Sequence, residues 1–157
     1  MDKKVIARDR GTIYNGDVKI TFLHGKKKYK VIKQHNYGTD AFFNYILNSI
    51  KGEYLVRQRP GIIIPCSDDN GVSPAITIPV VYESISGPTS NELTYSFLIP
   101  ETIIQNITIG SFILKDITNT YTYAVLKLDN IITIDSSTNL LVEWKLKIDN
   151  GPVGLEI

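Results

Sequence analysis

Leu140-Leu141-Val142-Glu143-Trp144-Lys145-Leu146-Lys147-Ile148 alternates between apolar and polar side chains with hardly a break. Leu140, Val142, Trp144, Leu146 and Ile148 fall on one face, and Leu141, Glu143, Lys145 and Lys147 on the other. Successive side chains of a strand point to opposite sides of its sheet, so this stretch specifies an antiparallel strand with one buried and one wet face. Upstream of it, Leu93 to Ile99, Ile107 to Leu114 and Tyr121 to Leu128 read as further strands. The turn sequences Asp116-Ile117-Thr118-Asn119-Thr120 and Asp135-Ser136-Ser137-Thr138-Asn139 separate them at the regular intervals of a sandwich or barrel. The fold expected is mainly β: an antiparallel, jelly-roll-like β-sandwich. It forms a single domain over residues 1–157, with N- and C-terminal extensions.

Toward the N-terminus, Val18, Ile20 and Phe22 alternate with Lys19, Thr21 and Leu23. Asn15-Gly16 before them is a dipeptide favoured in tight hairpins. A second turn at His24-Gly25 returns the chain through Tyr29, Val31 and Ile32, so residues 12–34 read as a small β-meander. Thr39 then offers an N-cap hydroxyl, Asp40 suits the positive end of a helix, and Gly52 suits its left-handed exit. The spacing of Phe42, Phe43, Ile46, Leu47 and Ile50 gives one helix at about residues 40–51. Its broad apolar face must lie across a sheet or a neighbour, with Tyr45 near the edge.

Between helix and later strands, Pro60-Gly61, Pro65 and Asp68-Asp69-Asn70-Gly71 are loop signals around a short buried strand at Ile62-Ile63-Ile64. Alternation resumes from Ala75 to Tyr82 through Ile76, Ile78, Val80 and Tyr82, and Pro79 places this strand at an edge or a bulge. Gly87-Pro88-Thr89-Ser90-Asn91 is a turn.

The bulk properties bound the function. The 157 residues are 43% hydrophobic and 21% charged with a formal net charge of +1, the balance of a folded domain large enough to bury a core. Such neutrality gives no support to nucleic-acid binding, although Lys26, Lys27, Lys28, Lys30 and Lys33 make one hairpin locally basic. Lysines there blunt a sheet edge or grip an acidic neighbour. The lone Cys66 excludes an intrachain disulfide and a cysteine-rich zinc site. The N-terminus is too charged for a secretory signal, and no apolar run approaches membrane-spanning length. A protein of the cytoplasm, or of an assembly formed there, is expected, without a membrane partner. Isoleucine, asparagine and lysine are abundant and alanine is scarce, the usage of an AT-rich genome.

No catalytic, cofactor or metal constellation is visible. His24 and His35 have no paired-ligand spacing on a helix. Cys66 with His35 would make a nucleophile and base only if the fold brought them together. Asp68-Asp69-Asn70-Gly71 offers oxygens for calcium but lacks the ligand spacing of an EF-hand, and reads as a turn. Gly110-Ser111 and Gly87-Pro88 lack the repeated glycines of a phosphate loop. Among the nine tyrosines, Tyr82, Tyr95, Tyr121 and Tyr123 suit half-buried strands, a protein interface or sugar stacking.

Two segments resemble a β-rich module of tail-fibre, collar and other tail-associated proteins of tailed bacteriophages. Asn36-Tyr37-Gly38-Thr39-Asp40-Ala41-Phe42-Phe43-Asn44-Tyr45-Ile46-Leu47-Asn48-Ser49-Ile50-Lys51-Gly52 is similar to that family's capped helix closing in glycine. Ile107 to Phe112, Tyr121 to Leu126 and Leu140 to Ile148 are similar to its Ile-Gly-x-Phe strand, hairpin and tryptophan-bearing last strand. The chain departs from the pattern at Ser111, where a large apolar residue is common, and in the loop from Ile64 to Gly71. It also lacks a long fibrous extension. The resemblance implies a virion structural protein, repeated as a homo-oligomeric ring or adaptor that joins portal or tail tube to fibres or further rings. It also implies no turnover and no cofactor, and the AT-rich usage fits a crAss-like podovirus. The subunit contacts expected are the Lys26 to Lys33 hairpin, the Tyr54 to Pro74 loop and both termini. Their named candidates are Lys26, Lys28, Tyr54, Arg57, Arg59, Tyr121, Tyr123, Leu155 and Ile157. The alternatives are a carbohydrate-binding host-recognition module, using exposed aromatics such as Tyr121 or Tyr123, and a small glycan-degrading enzyme.

Overall fold

A computed structural model describes residues 13–36, 38–52, 58–89 and 91–149. Two antiparallel sheets pack face to face. The first has the order β2 (Lys27–Asn36), β1 (Ile13–His24), β9 (Asn139–Asp149), β6 (Glu92–Ile99) and β5 (Ser84–Thr89). The second has the order β4 (Val80–Val81), β3 (Pro60–Cys66), β7 (Thr108–Asp116) and β8 (Thr122–Thr133). The antiparallel β-sandwich read from the alternation is what forms, and the chain changes sheet after each pair of consecutive strands.

The alternating stretch is the central strand. β9 pairs with β1 from Ile13–Asp149 to Leu23–Asn139, and with β6 from Glu92–Lys147 to Ile99–Leu140. Trp144 sits opposite both Val18 and Tyr95, and it is fully buried with Leu140 and Val142. The inner faces of β1, β6 and β9 meet Ile63, Phe112, Leu114, Ala124 and Leu126 of the second sheet in one core. A smaller cluster of Ile64, Cys66 and Ile113 lies apart from this core, with Ile76 and Val125 packed against it.

The helix forms as α1 (Asp40–Lys51) and ends at Gly52 in the left-handed region with φ 96°. Its start differs from expectation. The Thr39 hydroxyl does not cap the helix but donates to the carbonyl of Thr122 at 2.7 Å, while the Thr39 N–H donates to the carbonyl of Tyr123. The helix is therefore anchored on β8, and Phe42 and Tyr45 meet Tyr123 with ring centroids 5.5 and 5.6 Å away. Only part of the broad apolar face is covered, because Leu47 and Ile50 remain exposed. A second, four-residue helix, α2 (Glu101–Ile104), follows Pro100 and carries the chain from β6 to β7. No sequence signal had nominated it.

Three further local readings are corrected. Asn15-Gly16 is not a turn: both lie inside the twelve-residue β1, where Gly16 is paired with Asn36 and Leu146. The N-terminal unit is a single β1–β2 hairpin turning at Gly25-Lys26, with Gly25 at φ 62°. Ala75 to Tyr82 yields only the two-residue β4, since Pro74 and Pro79 lack the N–H groups a ladder needs. Finally, Gly87-Pro88-Thr89 belongs to edge strand β5, which pairs irregularly with β6 between Ser86 and Thr89.

Ser111 and the loop from Ile64 to Gly71 form one physical feature. Ser111 is fully buried; its hydroxyl donates to the carbonyl of Asp68 at 2.8 Å and accepts from the N–H of Gly71 at 3.1 Å. Its neighbour Gly110 lies where the β7–β8 register shifts, and a Cβ there would stand 2.8 Å from the Asp68 carbonyl oxygen. Gly71, at φ 75°, rests directly on Ile113, where an added Cβ would meet Cγ2 at 2.5 Å. The loop after β3 is thus clamped onto the strand by a hydroxyl that a large apolar residue lacks. The Asp68 carboxylate closes the loop by accepting from the N–H groups of Asn70, Val72 and Ser73.

Two stability changes are expected. Trp144→Ala should cost about 3–5 kcal/mol in chemical denaturation, and native tryptophan emission should be blue-shifted, as for a ring without water contact. Gly110→Ala should destabilise by about 1–3 kcal/mol through overpacking against backbone, and should speed amide exchange at Asn70, Val72 and Ser73 before it affects β9.

Candidate interaction surfaces

Chemistry-bearing side chains are dispersed. Cys66 is buried in the smaller cluster; burial, then the nearby Asp68 charge, pushes its thiol above its ordinary pKa against opposing effects of Ser111 and Lys115. A thiol so held is a poor nucleophile. His35 lies on the first sheet, with Nδ1 2.8 Å from the Asp17 carboxylate. The fold leaves Cys66 and His35 on different sheets. Among the described residues no group of three His, Cys, Asp or Glu side chains is placed to hold a metal, and no helix is long and apolar enough to cross a membrane.

What the structure does assemble is surface. The outer face of the five-stranded sheet carries rows of directly opposed residues. One row runs His35, Asp17, Lys145, Thr94, and the next Lys33, Lys19, Glu143, Ser96. All of these residues except Ser96 line an open depression of about 580 Å³. Lys19 reaches Glu143 at 4.0 Å, and Lys145 reaches Glu92 at 3.7 Å. Solvent-exposed pairs of this kind contribute little to stability; they set the pattern of charge on this face. The following row is different: Val31, Thr21, Leu141, Leu98. Val31 is 38% and Leu98 40% exposed and Leu141 is half-buried, while Thr21 on β1 is buried, so apolar side chains from three strands surface on a face that alternation marked as wet.

The expected contact residues separate into two groups at opposite ends of the sandwich. Lys26 and Lys28 are exposed at the tip of the β1–β2 hairpin. There His24 stacks on Tyr29 at 4.0 Å, and the Tyr29 hydroxyl bonds Thr138 Oγ1 at 2.8 Å, which fastens the tip to the β8–β9 turn. Arg59, Tyr121 and Tyr123 gather at the other end, beside α1. The Arg59 carbonyl accepts from Ile117 N–H, and Arg59 Nη2 lies 3.2 Å from the Tyr82 hydroxyl. Tyr121 is 44% exposed. Tyr123, in contrast, is no surface residue. It is 2% exposed, and its hydroxyl donates to the carbonyl of Gln58; burial, then the charge of Asp116, holds that phenol above its usual range. Tyr54, Arg57, Leu155 and Ile157 lie outside the described residues.

Asp116 organises this second end, a role that the turn composition did not single out. Its buried carboxylate accepts from the N–H groups of Thr118, Thr120 and Tyr121 and from the Thr118 hydroxyl. Burial alone raises its pKa, but the Thr118 hydroxyl and the Tyr121, Thr120 and Thr118 N–H groups outweigh burial and leave it lowered.

No protein-family model, curated protein or solved structure matches this chain.

Because the folded pKa of Asp116 is depressed, the stability it supplies is fully present above the ordinary value of 3.8 and is lost as pH falls through the folded value. Asp116→Asn should therefore cost about 1–3 kcal/mol at neutral pH. In denaturation curves recorded across pH, the gap between variant and parent should close as pH drops below 3.8.

Proposed function

We propose that this protein is a structural subunit of a tailed-bacteriophage virion, a homo-oligomeric ring or adaptor of the tail or collar. The phage assignment rests on the resemblance of the α1 segment, the Gly110 strand and the Trp144 strand to tail-associated modules. The observation that carries a role in assembly is the row of Val31, Leu141 and Leu98, apolar surface on the outer face of the sheet, away from the core. A cyclic assembly needs two different faces on each copy. The basic hairpin tip with Lys26 and Lys28, and the opposite end with Arg59, Tyr121 and α1, supply chemically distinct ends. Partners are then further copies and other tail, portal or fibre proteins, and the site of action is the virion. The carbohydrate-binding alternative loses one of its two named aromatics, since Tyr123 is buried.

Leu98→Asp with Leu141→Asp should leave circular dichroism unchanged while lowering the oligomeric mass measured by light scattering to that of the single chain. Mass spectrometry of purified particles should find the protein in stoichiometric amounts. Absence from particles, together with turnover of a glycan, would refute the assignment.

A further inference from the structure

Asparagine is chemically labile, most of all before glycine, whose bare Cα leaves its main-chain nitrogen free to attack the asparagine side chain. Asn15-Gly16 and Asn70-Gly71 are two such pairs among the described residues, and they meet different surroundings. Gly16 is buried in β1 and paired on both sides, with Asn36 and Leu146. Asn70 is exposed in the loop after β3.

The loop cannot shed this hazard by replacing its glycine. Gly71 stands at φ 75°, and an added Cβ would lie 2.5 Å from Cγ2 of Ile113. Protection has to come from elsewhere, and β7 supplies it. The Gly71 N–H donates to Ser111 Oγ at 3.1 Å, and that hydroxyl donates in turn to the Asp68 carbonyl at 2.8 Å. Ser111 is fully buried, so water does not compete for the hydroxyl. We propose that Asn70 is a deamidation site and that the Ser111 hydroxyl holds it closed by engaging the Gly71 N–H.

In the reaction the Gly71 nitrogen forms a bond to Cγ of Asn70, the bond from Cγ to the side-chain nitrogen breaks, and ammonia leaves with the proton that Gly71 gives up. Water then opens the cyclic imide at either carbonyl, leaving aspartate or isoaspartate at position 70. The attacking nitrogen must surrender its proton, and that proton is held by Ser111. Either product puts a new carboxylate beside Asp68 and Asp69, in a loop where Asp69 already pairs with Lys127 at 3.3 Å. Isoaspartate also lengthens the main chain between the N–H groups of Asn70 and Val72, both of which the Asp68 carboxylate accepts. The inference is independent of the virion assignment.

The test is prolonged incubation of the full chain in mildly alkaline buffer, with aspartate and isoaspartate at position 70 quantified by peptide mapping and mass spectrometry. Ser111→Ala should convert Asn70 about tenfold faster than the parent, the factor expected when one hydrogen bond no longer holds the attacking group. Asn15 should stay intact in both. Asp68→Ala separates a specific hold from general slackness, because it removes the carboxylate that accepts from Asn70, Val72 and Ser73 and keeps the Ser111 hydroxyl. It should accelerate conversion less than Ser111→Ala does. Equal rates in parent and Ser111→Ala would overturn the proposal, and so would equal acceleration in the two variants, since loop order alone would then be the protection. A further comparison needs no substitution: Asn70 in the parent should convert about tenfold or more slowly than in a free peptide of residues 67–73. Conversion of Asn15 alongside Asn70 would mark a variant as unfolded, and this comparison then decides, with equal rates in chain and peptide defeating the proposal.

Discussion

Strand β9 is bound on both sides along nearly its whole length, and every other element takes its position from that double register. A slip of one residue against either β1 or β6 would carry Trp144, Val142 and Leu140 to the outer face and bring Glu143 and Lys145 into the core. Two partners specify the same register independently: Val18 opposes the indole from one side and Tyr95 from the other. The same parity lays out the external surface. Once Trp144 points inward, the rows containing Lys145, Glu143 and Leu141 are fixed on the outside, in the order that makes the charged depression and the apolar stripe adjacent.

Around this frame the second sheet is held by backbone proximity more than by pattern. Gly110 and Ser111 let the Asp68 loop sit on β7, and Asp116 gathers the turn at the far end. These contacts involve carbonyls, N–H groups and one hydroxyl, and they lock two loops that would otherwise have few apolar contacts of their own.

Period-two alternation made β9, β6 and most of β1 legible, and capping residues with helical spacing made α1 legible. What escaped did so for identifiable reasons. Asn15-Gly16 has turn chemistry, yet neighbours on both sides pull it into a long strand, so tertiary pairing overrides a local dipeptide. Ala75 to Val80 alternates but has Pro74 and Pro79 at its ends, and alternation there describes a covering loop. Tyr123 is the extra residue between the pairs Leu114–Ala124 and Lys115–Thr122. Such a bulge re-aims a side chain, here inward beneath α1, which composition cannot announce. The stripe Val31–Leu141–Leu98 was likewise hidden, because its members come from three strands and only the register aligns them.

The Gln34 side chain seals part of a sheet edge. Its amide nitrogen donates to the carbonyl of Lys127 at 2.8 Å and its amide oxygen accepts from the N–H of Asp129 at 3.0 Å. Both groups belong to β8, the outermost strand of its sheet, and Thr39 occupies the carbonyls of Thr122 and Tyr123 on that strand. An open strand edge is a template for uncontrolled stacking; here much of the template is already read by the chain itself. A further strand finds little free main chain to pair with along this edge.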